Sequence, residues 1–199
     1  MTADDAMIEN EQRYRAAAYG LLAAMLRAAP EQALLEHLCK LSPDGDAEPD
    51  ELTQAMSELA AVAGKVDSDQ LEDEYNALFI GIGKGEVVPF GSWYMTGFLM
   101  EQPLSDLRND LKLLGFEREA NTREPEDHAA AIFEVFSVMI TDAISLDQQQ
   151  NFFEKHMQPW LKLFFTDLGK ARSAEFYKPV ARFGAAFIEL EQAYLSMRS

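Results

Sequence analysis

The chain has 199 residues, 48% of them hydrophobic, which suits a folded chain with its own core and argues against intrinsic disorder. A single cysteine, Cys39, excludes an internal disulfide framework and any cysteine-rich metal site. The net charge is −17, and residues 1–100 hold 18 acids against 6 bases; such a surface repels nucleic acid and anionic lipid and would attract a basic partner.

Apolar residues recur at helical spacing along the chain, and no stretch alternates as a half-buried strand does. Tyr14, Ala18, Leu21 and Met25 mark a first helix. The apolar run around them, residues 16–26, is too short to span a bilayer, and the acid-rich residues ahead of it do not fit a secretory signal, so the expected location is the cytoplasm. Cys39, in "EHLCKLS", reads as a small core residue on a helix, and "SPDGDAEPD" (42–50) as a polar turn. Leu71, Tyr75, Leu78 and Phe79 form a second stripe.

Next comes "GIGKGEVVPFG" (81–91), a glycine loop without helical pattern. It fails as a phosphate-binding loop: Leu78 stands where the first glycine is required and Gly85 replaces the hydroxyl residue. The apolar cluster after it contains Val87, Val88, Phe90, Trp93, Tyr94, Phe98, Leu99 and Met100; some of these must enter the core, and the rest suit a peptide groove.

Leu104, Leu107 and Leu111 continue the helical pattern, and "GFEREANTREP" (115–125) breaks it. Further stripes follow at Phe133, Phe136 and Ile140, at Phe153, Met157, Trp160, Leu161 and Phe164, and at Val180, Phe183, Phe187, Leu190 and Tyr194. The "PW" at 159–160 should start, kink or end a helix. The expectation is an all-α globular bundle of about eight to ten helices. An N-terminal part would cover 1–114, a hinge 115–124 and a C-terminal part 125–199, and such a hinge would permit domain swapping.

His37, His128 and His156 have no partner at metal-ligand spacing, and no nucleophile elbow occurs. The densest ionisable stretch is "REPEDH" (123–128). Pro125 suits the first position of a helix, and Glu124, Glu126 and Asp127 suit its positive end, where exposed acids contribute about 0.3–1 kcal/mol. Asp127 and His128 are adjacent, so on a helix they diverge rather than form a dyad. An unpaired His128 at that end should favour its neutral form.

Three segments resemble the TorD/DmsD/NarJ-like chaperones of molybdoenzyme maturation. "EYNALFIGIGKGEVVPFGSWY" is similar to the family's Glu-Tyr, Leu-Phe, glycine loop and Pro-aromatic-x-Ser-x-Tyr pattern through Glu74, Tyr75, Leu78, Phe79, Gly81, Pro89, Phe90, Ser92 and Tyr94. "EPEDH" resembles Glu-Pro-x-Asp-His through Glu124, Pro125, Asp127 and His128. "FEKHMQPW" resembles Phe-x-x-x-His-x-x-Pro-Trp through Phe153, His156, Pro159 and Trp160. Phe90 stands where the family usually has Tyr or Trp, which keeps the apolar surface and removes a hydrogen-bonding group.

The resemblance implies an all-α, non-enzymatic cytoplasmic chaperone. It would bind the N-terminal leader, often of the twin-arginine type, of a molybdenum-cofactor oxidoreductase. Its expected client-binding residues are Tyr75, Phe79, Pro89, Phe90, Ser92, Trp93, Tyr94, Glu124, Pro125, Asp127 and His128. It implies no metal and no required cofactor, with room for weak guanine nucleotide or molybdenum-cofactor binding. It implies no nucleic-acid partner, no stable membrane insertion, and either a monomer or a domain-swapped dimer. The competing reading is a small nucleotide-binding or hydrolytic enzyme that uses His128 and Asp127.

Overall fold

The structure, a computed structural model, describes residues 3–41, 50–81, 84–117 and 124–197. Among them the chain forms ten α-helices: α1 (Ala3–Arg27), α2 (Gln32–Leu38), α3 (Glu51–Ala63), α4 (Ser68–Tyr75), α5 (Gly91–Thr96), α6 (Gln102–Leu113), α7 (Ala129–Thr141), α8 (Leu146–His156), α9 (Leu161–Lys170) and α10 (Tyr177–Met197). A π-helical turn, Asn76–Ile80, extends α4. The one β-type pairing in the described residues is an isolated antiparallel bridge between Phe90 and His128. None of these helices is long and apolar enough to cross a membrane. The all-α expectation holds.

Two compact units emerge, and neither is a continuous half of the chain. One gathers Met1–Arg27, Phe90–Trp160 and Gln192–Ser199; the other gathers Ala28–Pro89 and Leu161–Glu191. Each therefore draws on both of the parts, 1–114 and 125–199, into which the sequence pattern divides the chain. Residues 118–123, most of the expected hinge, lie outside the described residues, as does most of the polar turn at 42–50.

In the first unit, α1 packs along α7. Tyr19 is fully buried, with its ring 5.9 Å from Phe133 and 4.7 Å from Phe136. Burial of each large apolar side chain of this kind stabilises by roughly 1.5–3 kcal/mol. The Ser137 hydroxyl donates to the Ala16 carbonyl at 2.9 Å, satisfying a polar group inside the contact. The buried face of α1 is Ala16, Tyr19, Leu22, Ala23 and Leu26, together with Met25. Tyr14, expected on that face, is exposed, although Met25, three turns further along the same side of α1, is buried. Phe136 continues the core toward Phe152 and Phe153 of α8.

In the second unit, the acidic side chains work at helix ends. Asp50 accepts from the Thr53 N–H at the start of α3, and Asp67 from the Asp69 and Gln70 N–H groups at the start of α4. Glu74 accepts from the N–H groups of Glu175, Phe176 and Tyr177 at 2.8, 3.1 and 2.9 Å, where α10 begins. Its neighbour Tyr75 and the ring of Phe79 pack against the fully buried Tyr177, with Phe79 edge-on at 5.3 Å. On α10, Val180, Phe183 and Phe187 are buried as expected, whereas Leu190 is exposed and Ile188 takes the inward position. Cys39 is also exposed rather than in the core. It lies one residue past α2, whose buried face is Leu35 and Leu38, and a one-residue step turns a side chain about 100° away.

Gly184 of α10 lies against the buried Phe165: a Cβ there would come within 2.2 Å of two of its ring carbons. Gly184→Ala is therefore expected to cost roughly 1–3 kcal/mol through overpacking, read as a lower urea midpoint with an unchanged slope.

Candidate functional site

The "VPFGSWY" and "EPEDH" segments meet inside the first unit. Phe90 has extended backbone and ends in the six-residue helix α5, with no side-chain cap of its own. The cap comes from elsewhere in the sequence. Asp127 Oδ2 accepts from the Ser92 N–H at 2.8 Å, and the Asp127 carbonyl accepts from the Gly91 N–H at 2.9 Å. Asp127 is thus the N-terminal anion of a helix that begins 36 residues before it, where the helix dipole favours negative charge. Its other oxygen, Oδ1, is buried without a hydrogen-bond partner among the described residues.

Pro125 does not open α7, as the sequence pattern suggested. Residues 125–128 form a turn in which the His128 N–H donates to the Pro125 carbonyl at 3.2 Å, and α7 starts at Ala129. The reason is that His128 itself is the cap: its Nδ1 accepts from the Ala130 N–H at 3.2 Å. That bond needs an unprotonated Nδ1, and His128 is held neutral. Burial, and then the Arg27 guanidinium, push its pKa down to about 4. The Phe90 ring meets the imidazole edge-on at 5.0 Å. Asp127 and His128 are each 3% exposed, so the two residues expected to face a client are internal clamps.

Trp160 closes the other side. Its indole is fully buried and donates to the His156 carbonyl at 2.7 Å, and Tyr94 stacks on it at 5.8 Å. Gly91 leaves room for this ring: a Cβ there would be 3.0 Å from the indole nitrogen. His156 pairs with Asp110 at 2.7 Å, and Lys155 reaches the same carboxylate oxygen at 2.6 Å. This explains "FEKHMQPW" physically: Trp160 buttresses α5 at Gly91, and His156 anchors the indole through its carbonyl and ties α8 to α6 through Asp110.

Beyond α5 the chain turns through Gly97, with φ +82°, and Met100, with φ +61°. A methionine in the left-handed region is strained, and the buried Ser92 hydroxyl holds it by accepting the Met100 N–H at 3.2 Å. The result is an apolar ridge in solvent: Phe98 is 68% and Met100 72% exposed, with Met95 and Leu99 also exposed.

On the polar side, Glu124 lies between two partners. Its Oε1 is 3.5 Å from His128 Nε2, and its Oε2 is 3.6 Å from Arg27 Nη1. Arg27 also binds Glu134 in bidentate fashion, at 2.7 and 2.5 Å. Burial raises the pKa of Glu124, Arg27 opposes the rise and Glu134 adds to it. Arg108 pairs with Glu126 at 2.8 Å. These groups rim a groove of about 1160 Å³ whose apolar lining includes Leu111, Phe116, Val135 and Val138.

Of the expected site residues, Phe90, Ser92, Asp127 and His128 come together directly, Tyr94 joins through Trp160, and Glu124 and Pro125 lie half-buried at the edge. Trp93 is half-buried in α5. Tyr75, Phe79 and Pro89 belong to the second unit, where Tyr75 and Phe79 pack on Tyr177. Arg27 and Glu134 were not expected: they are remote from the motifs in sequence, and nothing local marks them. Among the described residues no group of three His, Cys, Asp or Glu side chains could hold a metal ion.

Two outcomes are expected. Asp127→Ala strands the buried Ser92 N–H and should cost roughly 1–3 kcal/mol in urea unfolding, more than an exposed helix-start acid contributes. For His128, the folded pKa lies below the ordinary 6.5, so the unfolded chain takes up the proton first. Its contribution to stability is complete above that value and is lost as pH falls toward 4, a decline on the order of 3 kcal/mol. His156, lowered by burial against the opposing pull of Asp110, adds to the same trend. His128→Asn keeps a side-chain acceptor for Ala130 and should flatten the pH 4–6.5 slope of urea-derived stability relative to wild type.

Comparison with known proteins places this geometry. The profile of the family described as nitrate reductase delta subunit matches residues 46–166. Chaperone protein TorD of Vibrio parahaemolyticus serotype O3:K6 is 26% identical over 138 residues, 63% of this chain and 64% of that protein. Chaperone protein TorD of Aliivibrio fischeri is 26% identical over 160 residues, 74% of each. Against the Vibrio relatives, the chain spans a little under two thirds of their length. These relatives are named as chaperones, not as enzymes. A crystal structure of a proposed redox enzyme maturation protein from Archaeoglobus fulgidus shares the fold, with a TM-score of 0.58 and 19% identity over 86% of this chain and 93% of that one. With a family profile matched across well over half of its length, the chain belongs to the nitrate reductase delta subunit family, the TorD/NarJ group that its motifs resemble.

Proposed function

We propose that the protein is a cytoplasmic, non-enzymatic chaperone of molybdenum-cofactor oxidoreductase maturation. It binds the client's N-terminal leader, of the twin-arginine type, and assists maturation before export. It requires no cofactor of its own and acts as a monomer or a domain-swapped dimer. Family membership and the names of the relatives support the chaperone class.

The observation that carries the leader-binding reading is the exposed Met95–Met100 ridge, held in a strained shape by the buried Ser92 and seated on α5, which Asp127 caps. An apolar ridge and a carboxylate-rimmed groove within one compact unit suit a peptide that joins arginines to an apolar stretch. Asp127 and His128 serve this surface by holding it rather than by touching the client. The same two residues commit Oδ2 and Nδ1 to backbone N–H groups, which favours binding over hydrolysis.

Calorimetric titration with twin-arginine leaders of molybdoenzymes encoded beside this gene tests the proposal. Wild type is expected to bind one of them. Phe98→Ser with Met100→Ser should weaken that binding at least about tenfold, since each apolar side chain covered contributes about 1.5 kcal/mol or more, with the unfolding midpoint unchanged. Failure of every such leader to bind overturns it.

A further inference from the structure

The groove beside Glu124 already contains guanidinium groups, both supplied by the chain itself. Arg27, in the last turn of α1, crosses to α7 and grips Glu134 with two parallel hydrogen bonds, at 2.7 and 2.5 Å. The same guanidinium points a third nitrogen toward Glu124 at 3.6 Å. Forked, in-plane pairing of this kind is specific to arginine; a lysine ammonium does not reproduce it. Yet the pair lies at the surface. The side chains of Arg27, Glu134 and Glu124 are 38%, 50% and 38% exposed, so a second guanidinium can reach the carboxylates from solvent. Ion pairs this exposed are held weakly and exchange readily. Arg108 pairs with Glu126 along the same groove, two of its nitrogens on one carboxylate oxygen, and Leu111, Phe116, Val135 and Val138 supply the apolar lining.

We propose that Arg27 is a resident placeholder for a client arginine: an incoming guanidinium displaces it from Glu134 and Glu124, while the residues after the client arginine cover the apolar part of the groove. This rests on the leader-binding reading and adds to it what a client arginine must displace. Any ligand must outcompete a bidentate arginine for its carboxylates. A ligand carrying lysine exchanges a forked pair for a single point contact and loses, whereas one carrying arginine breaks even there and gains from apolar contact. The resident arginine thereby lowers the affinity of the groove for basic peptides in general, despite the strongly acidic chain, and a lysine ligand does not displace it.

The test uses the full chain and two synthetic peptides. One has two adjacent arginines ahead of an apolar leucine- and phenylalanine-containing stretch; the other is identical but for two lysines. Removing the competitor in Arg27→Gln should tighten the arginine peptide by about three- to tenfold, the range expected for releasing an exposed pair together with a nearby positive charge. The gain for the lysine peptide should be smaller, so that selectivity for arginine rises. Glu134→Gln removes the seat itself and should weaken the arginine peptide; it lies on an exposed face of α7, and thermal unfolding checks that both variants fold. If wild type binds the arginine peptide but Arg27→Gln weakens it or leaves it unchanged, the placeholder is wrong and the leader-binding reading stands. Equal tightening of both peptides means simple charge removal and also overturns it. Binding that appears only in Arg27→Gln supports a complete internal block. Absence of binding in wild type and variant alike overturns both readings.

Discussion

One buried hydrogen bond organises the first unit: the Asp127 carboxylate accepts from the Ser92 N–H, 35 residues away in sequence. A helix of six residues has little intrinsic stability, and α5 has no local cap. Its first N–H groups are buried, so without Asp127 they would be left unpaired at a cost comparable to lost hydrogen bonds. The carboxylate removes that cost and at the same time fixes the turn that carries Glu124 and Glu126. His128 extends the logic by one residue, capping α7 through Nδ1 as Asp127 caps α5. Two helices and the edge of the groove are therefore positioned by a dipeptide. Trp160, stacked under Tyr94 and fitted against Gly91, holds the opposite side.

The large negative charge looks different once its acids are located. Asp50, Asp67 and Glu74 satisfy helix N-termini, and Glu86 accepts from Ser173 and from the Arg172 N–H. Glu51 and Glu58 share Arg182. A substantial part of the acidity in the N-terminal half is thus committed to ordering backbone and pairing internally rather than to attracting a partner. The acids that do line a groove, Glu124, Glu126 and Glu134, are fewer, and each has an arginine beside it. Net charge alone overstates how strongly this surface attracts a basic peptide; the local balance is what a ligand meets.

The family-like segments divide by physical role. Glu74, Tyr75 and Phe79 cap and pack against the start of α10 in the second unit. Phe90, Ser92, Asp127 and His128 build the clamp of the first. His156 and Trp160 buttress it. Motifs that read together as one binding signature are thus largely devices for holding backbone in place. The outward-facing groups, Phe98, Met100, Arg27 and Glu134, lie beside or outside the motifs. Residues in a buried polar network tolerate little substitution, whereas an exposed apolar ridge need only stay apolar to keep its surface.

Helix type and most of the core were legible from the chain alone, because 3.6-residue periodicity in α6, α7 and α9 is set by which face must leave water. Leu104, Leu107, Leu111, Phe133, Phe136, Ile140, Leu161 and Phe164 are all buried. In α1 the expected stripe was only partly right: Met25 is buried, whereas Tyr14, on the same side three turns earlier, is exposed. The neutral form of an unpaired His128 was expected from its place at a helix start; in the structure it is burial, and then the Arg27 guanidinium, that lowers its pKa. Three things were decided only by tertiary structure. Asp127 caps a helix from a different part of the chain, Phe98 and Met100 stay in solvent although Val87 of the same apolar cluster is buried, and Arg27 reaches Glu134 across 107 positions. The first and third are long-range pairings between groups whose local sequence is ordinary, and periodicity carries information only about neighbours along one helix.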